Sequence, residues 1–341
     1  MNLEWVSEFA SLWLSQIIDL VSQGNKRVFV GYLLSALALA CVWLKWQRNL
    51  TIVAALKYLL SPKLWWSKSS RADYQILLLN QAIMLLLRPL MLSKLVLATG
   101  LFYALNDVLV RPLWPTALSA SSVALLFTFT LFVVDDASRY YLHRLMHRWP
   151  LLWAFHRVHH TAQTLTPLTV LRTHPVEGLL FGVRSALVQG VLIGVFVFLF
   201  ADKVSLVAIL GANVFTGVFN LLGANLRHSH VSICYGQTLE FWLISPAQHQ
   251  LHHSRDRLHW DCNYGAFLAL WDRMGSTLLT ASSQQQLSYG LPHQEPKEQT
   301  LSTLYWQPFV TSWQSIRHFI SRFLNTHRLS IRANSETHDV N

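Results

Sequence analysis

Apolar residues in this chain fall into long blocks separated by short polar joints. Residues 28–44 form one block, bracketed by Lys26-Arg27 and Lys45, near the short end of the about 17–25 residues that cross a bilayer. Residues 76–110 form a second, interrupted by Arg88-Pro89 and Ser93-Lys94; it reads either as one kinked crossing or as a hairpin. Residues 122–134 form a third that runs straight into the first of several histidine clusters. Blocks 186–200 and 204–222 are separated only by Ala201-Asp202-Lys203, which predicts a membrane hairpin over 186–222 whose ends return to one face. Two amphipathic helices flank this pattern. One carries Leu3, Val6, Phe9, Trp13, Ile17 and Val21 on one side; the other lies near 304–323, followed by a disordered end. The pattern predicts an all-α polytopic membrane protein with about four to five transmembrane helices and a cytoplasmic helical cap. The predicted divisions are an interfacial and transmembrane region (1–120), a histidine-rich catalytic domain (121–281) and a polar tail (282–341).

Composition agrees with a bilayer environment. The 341 residues are 52% hydrophobic and 13% charged, about half the charge of an ordinary soluble domain. The net charge of +10 is not one solvated tract, so nucleic acid is not the expected partner. Lys45, Arg48, Lys57, Lys63, Lys68 and Arg71 cluster after the first block; the positive-inside rule makes that loop cytoplasmic and the N-terminal side external. Glu4, Glu8 and Asp19, with no basic stretch, favour an interfacial helix over a signal peptide at the N-terminus. Cys41, Cys234 and Cys262 are too scattered for a disulfide framework or a thiolate zinc site.

Of sixteen histidines, twelve lie between His143 and His259. They are ordered as His143-x3-His147, then His156-x2-His159-His160, then His228-x-His230, then His249-x2-His252-His253. On a helix, positions three and four apart share a face, so each box is expected to present its histidines as one stripe, with Asp136 and Tyr140 on the face of His143. Pro150 should break the helix between the first two boxes. Eight imidazoles in three boxes exceed the about four ligands of one zinc and suit two metals; imidazole alone leaves zinc, copper, iron and nickel open. His259 reads as a lone core histidine, and His293, His318, His327 and His338 as solvated tail residues. Arg144, Arg148 and Arg157 read as phosphate contacts, and Tyr140 and Trp153 as interface anchors or parts of the site.

The run from Asp136 through Tyr140, His143 and His147 to Trp153, Phe155, His156, His159 and His160 resembles the fatty acid hydroxylase/sterol desaturase superfamily. So do Arg172-Thr-His174-Pro-Val-Glu177, Ser245-Pro246 with the box His249–His253, Asn263-Tyr264-Gly265 and Leu270-Trp271-Asp272-Arg273. The resemblance implies a non-haem centre of two iron ions, O2 as co-substrate, and hydroxylation or desaturation of a membrane lipid such as a sterol or fatty acyl chain. It implies as ligands His143, His147, His156, His159, His160, His249, His252 and His253, with His228 added. His174 and His230 are carried as ligands or as residues behind the ligands. Glu177 is expected to orient His174, and Asp136, Asp261 and Asp272 to receive ligand N–H groups. With no donor segment visible, electrons would come from a separate ferredoxin, cytochrome b5 or reductase docking on the cytoplasmic face. Rival readings are a redox-silent zinc hydrolase or lyase acting on lipids, a metal transporter, and an inactive sensor.

Overall fold

The computed structural model describes residues 3–110, 118–204, 214–282, 287–292 and 299–338. Among these there are helices and no strands; Leu243–Leu268 and Ser254–Tyr289 are isolated bridges. The helices are α1 (Leu3–Ser22), α2 (Val30–Arg48), α3 (Ile52–Leu59), α4 (Pro62–Trp65), α5 (Lys68–Leu87), α6 (Lys94–Val108), α7 (Ala120–Arg148) and α8 (Pro150–His160). There follow α9 (Pro175–Phe200), α10 (Val214–Leu221), α11 (Gln237–Glu240), α12 (Pro246–His252), α13 (Leu270–Met274) and α14 (Leu301–His338). The expected all-α polytopic architecture is present: Val30–Arg48, Lys68–Val108, Ala120–Arg148 and Pro175–Phe200 are each long and apolar enough to cross a membrane.

Local chemistry sets the helix starts. Ser67, Ser93 and Ser119 accept the N–H of Ser70, Val96 and Ser122, capping α5, α6 and α7. Prolines that lack an N–H occupy the first turn of α8, α9 and α12, where no intrahelical donor is needed. Pro150 thus separates α7 from α8 with only Trp149 between them, as its position predicted.

The interrupted block 76–110 is one traverse, not a hairpin. Its helix breaks at the Arg88–Leu90 turn containing Pro89 and resumes at Lys94 in the same direction. Along α9, Gly178 faces Met84, Gly190 faces Lys94 and Leu97, and Gly194 faces Ala98 and Leu101, so α5–α6 and α9 run parallel. Gly190 and Gly194 bring the backbones close: a Cβ on either would lie 2.7–2.9 Å from α6 atoms. α7 runs the opposite way along α9, setting Phe127 edge-to-face with Phe196 and pairing Asp135 with Arg184.

The first limb of the predicted hairpin is α9, which begins eleven residues earlier than residue 186, at Pro175. Much of the second limb, residues 205–213, lies outside the described residues. α10 follows it and runs beside α7 through Phe129–Phe215 and Phe132–Phe219 contacts, back towards the histidines. Gly223, at φ 92°, ends α10 and opens the Ala224–His228 turn.

The amphipathic helix expected near 304–323 is present, but it starts at Leu301 and continues where a disordered end was expected. α14 is helical to His338 and docks by Leu304 against Ala72, Ile76 and Val158. Gln299 and Tyr305 add hydrogen bonds to Thr161 and Asn80. Apolar burial at the start of α14 is what the amphipathic pattern near 304–323 expected. His318 is exposed, and His293 lies outside the described residues.

Candidate metal centre

Each histidine comes from an element whose direction is fixed by packing. α7 carries His143 and His147 on its last two turns, and α8 carries His156, His159 and His160 on its last two. The Ala224–His228 turn ends on His228, and α12 with its C-cap carries His249, His252 and His253. A reciprocal capping box, Ser245 with Gln248, starts α12, and both residues are fully buried.

These nine residues form two groups, within each of which the ligand-capable atoms lie within 4.8 Å of one another. One is His143, His147, His156, His160 and His252; the other is His159, His228, His249 and His253. The single stripe expected for each HxxHH box is therefore corrected. Positions four apart stay together (His156 with His160, His249 with His253), while the residue three along crosses to the other group (His159, His252). Adjacent helical residues diverge by about 100°, so the last two histidines of each box face different centres. The groups abut, with the rings of His160 and His253 stacked at 4.5 Å.

The nitrogens are arranged as ligands would need to be. In the five-histidine group every Nε2 is buried and has no hydrogen-bond partner. In the four-histidine group Nε2 atoms sit together: His159–His228 3.0 Å, His228–His249 3.1 Å, His228–His253 3.1 Å and His249–His253 3.2 Å. Nitrogens about 2.0–2.1 Å from a common ion are about 3.0–3.4 Å apart, so the spacing fits a shared cation better than neutral imidazoles facing each other. Burial, then repulsion by neighbouring histidines, pushes His160, His228 and His253 well below the ordinary histidine range. His159 is pushed down to about 3, chiefly by burial. Neutral imidazole is the form that binds metal.

Outward-facing nitrogens are tied down. Nδ1–H donates from His143 to the carbonyl of Tyr264 (2.8 Å), from His252 to that of Cys262 (2.7 Å), and from His159 to that of Arg172 (3.2 Å). His156 donates to Glu177 Oε1 (2.9 Å). These bonds leave Nε2 as the lone-pair nitrogen facing inward. Glu177 thus orients His156, not His174 as expected. His174 Nδ1 instead accepts the Val176 N–H, capping α9, while Nε2–H donates to the Tyr305 carbonyl. His230 lies outside both groups, its ring 4.9 Å from that of Tyr58. His259 also lies outside them, beside Ser254.

Asp136, Asp261 and Asp272 bond to no histidine among the described residues; they build the loop that carries the orienting carbonyls. Asp136 accepts from the N–H groups of Phe267 and Leu268 and the Trp271 indole. Asp272 accepts from the Tyr264 and Gly265 N–H groups and the Thr277 hydroxyl, and Asp261 from the Tyr264 hydroxyl. Burial raises Asp272 to about 6. Gly265 is required there: a Cβ would sit 2.7 Å from Asp272 Oδ2 and 2.8 Å from the Leu268 carbonyl. Sequence reasoning missed the carbonyls of Arg172, Cys262 and Tyr264. The only signal for them was the presence of unexplained Arg-Thr-His and Asn-Tyr-Gly motifs.

Arg172 is a second feature not foreseen. Its fully buried guanidinium pairs with Asp73 at 2.8 Å and donates to Thr161, Gln299 and the carbonyls of Val158 and Ser69. It clamps α5 and the end of α8 around the His159 carbonyl contact. Arg144, expected at lipid phosphates, donates instead to the Tyr140 hydroxyl and the Gly275 carbonyl. Trp153 is a wall of the site, 4.9 Å from His147 and 5.4 Å from His160. It shares with Trp260 and Asp261 a cavity of about 460 Å³ that reaches His147, His160, His252 and His253, and so touches both groups.

Residues 128–277 match the fatty acid hydroxylase family, a span that contains all nine histidines of the two groups. This part of the chain is a fatty acid hydroxylase domain. The chain is similar to an alkylglycerol monooxygenase of Danio rerio, at 32% identity over 48% of this chain and 32% of the relative. It is similar to a Delta(7)-sterol 5(6)-desaturase of Gibberella zeae, at 31% identity over 42% of this chain and 39% of the relative. An ornithine lipid hydroxylase of Rhizobium tropici is 27% identical over the same shares, 42% and 39%. The matches thus span about a third of the length of these curated relatives. No solved structure matches the chain.

Proposed function

We propose that the hydroxylase domain holds two iron ions, one in each histidine group, and uses O2 to hydroxylate or desaturate a membrane lipid. The observation that carries this reading is the pairing of two adjacent, buried groups of five and four imidazoles whose Nε2 atoms face inward. Two irons would supply the redox chemistry that activates O2 against an unactivated C–H bond, which zinc does not. The chain's own part is to hold the nine histidines neutral and directed. Glu177 and the carbonyls of Arg172, Cys262 and Tyr264 do this through the opposite ring nitrogens of four of them. Trp153 and Trp260 wall the cavity, and Asp261 holds Tyr264 against the five-histidine group.

A lipid substrate is supported by the relatives' names, which include a sterol, an alkylglycerol and an ornithine lipid, and by the site's position at the ends of α7 and α9. The basic loop supports a cytoplasmic face. Arg48 lies over Tyr58, which packs on His230, and Asp73 at the start of α5 pairs with Arg172, so 48–73 is on the histidine side. A separate electron-donor protein would dock on that face.

The reading is tested by metal analysis and oxygen uptake. Protein prepared without added metal should carry about two irons per chain, and the reduced form should take up O2 when given membrane lipid extract. An iron-loaded, reduced sample that takes up no O2 with lipid overturns it and favours the zinc reading.

A further inference from the structure

Arg227 directly precedes His228 and is 3% exposed. Its Nε is buried without a hydrogen-bond partner among the described residues. Its aromatic neighbour is Phe267, over whose ring Cζ lies at 5.2 Å. Arg27 joins it from the start of α2, donating to the Ala224 carbonyl (2.8 Å) and to Asn225 Oδ1 (3.1 Å), both neutral acceptors. The nearby carboxylates are shared: Asp135 pairs with Arg139 and Arg184, and Asp136, whose charge acts on Arg227, spends its hydrogen bonds on three N–H donors. Four arginines therefore face two aspartates. Burial and the charges of Arg227 and Arg139 press Arg27 well below the ordinary arginine range. A buried guanidinium with an unmet donor is costly, and its fork is shaped to receive the paired oxygens of a phosphate or carboxylate.

We infer that Arg227 and Arg27 form a receptor for the oxyanionic headgroup, phosphate or carboxylate, of a membrane lipid. Position selects a lipid over a soluble anion. Arg139 and Arg184, which stand beside this pair, lie inside the membrane-length helices α7 and α9, Arg139 about one turn towards the span from His143. Charged groups at such depth characteristically mark binding sites, and basic recesses between membrane helices take lipid headgroups. The inference does not depend on oxygen chemistry.

The test uses the full chain in mild detergent, with retained lipid read by native mass spectrometry and metal content read on the same samples. Phosphatidic acid and a long-chain fatty acid should be retained about tenfold more tightly than diacylglycerol of the same chains. Arg227→Gln should lower that retention by about tenfold, Arg227→Lys by less, and Arg27→Gln should lower it as well, with Arg27→Lys restoring part of it; the metal content of the same samples separates lost lipid from a displaced His228. Unchanged retention in Arg27→Gln overturns the proposal, as does equal retention of diacylglycerol. Displacement of phosphatidic acid by inorganic phosphate at equal concentration would show a soluble-anion site and also overturn it.

Discussion

Glu177 Oε1 lies 2.9 Å from His156 Nδ1, and both side chains are 3% exposed. This contact joins α9 to α8 and fixes which nitrogen of His156 faces the five-histidine group. Because a carboxylate behind a metal-bound imidazole commonly adds about 10–100-fold to metal affinity, Glu177→Ala should lose metal to a competing chelator that much more readily. Glu177→Gln, which keeps an acceptor without charge, should fall between. Metal content after dialysis against graded chelator measures both.

Neighbouring residues should respond differently. His159→Ala removes one of only four nitrogens in its group and should drop bound metal from about two ions per chain to about one. His160→Ala leaves four in its group and should keep nearly both, held more weakly. Elemental analysis of the purified variants distinguishes them; equal losses would contradict the two-group division.

Removing metal should destabilise the whole domain. Chelation leaves nine buried histidines with inward lone pairs opposed, so the melting temperature should fall and recover on adding back iron. Scanning calorimetry or thermal unfolding in detergent reads the shift.

Gly190 and Gly194 hold α9 against α6. Gly190→Ala places a Cβ 2.7 Å from Leu97 Cβ, and Gly194→Ala one 2.9 Å from the Ala98 carbonyl. Each should cost about 1–3 kcal/mol through overpacking. Gly100→Ala on α6 meets nothing within 4 Å and should be neutral or slightly stabilising, which makes it the control in the same thermal measurement.

His174 adds a pH dependence. Burial lowers its pKa below the ordinary value of 6.5, and only the neutral ring can accept the Val176 N–H at Nδ1. Its capping contribution, about 1 kcal/mol, is therefore present above pH 6.5 and is lost as pH falls through the depressed folded value. His174→Asn, whose amide oxygen caps at any pH, should reduce the acid sensitivity of unfolding relative to the unmodified chain.

The sequence alone settled much about this protein: its apolar blocks foretold about four to five membrane spans, of which four stand among the described residues, Pro150 foretold the α7–α8 break, and the box spacing foretold that many imidazoles would meet. Periodicity reports geometry within one helix, and these features are local. The tertiary structure alone decided the rest. The division of each HxxHH box between two centres depends on how α7, α8 and α12 cross, because one residue's rotation of about 100° means something only relative to the facing helices. The direction of α6 after Pro89 was decided by its fit against Gly190 and Gly194. Three of the four groups that orient the histidines are backbone carbonyls, which every residue possesses and no sequence can distinguish. The fourth, Glu177, was visible as a residue but not as a partner of His156, twenty-one positions away, until α9 folded back beside α8.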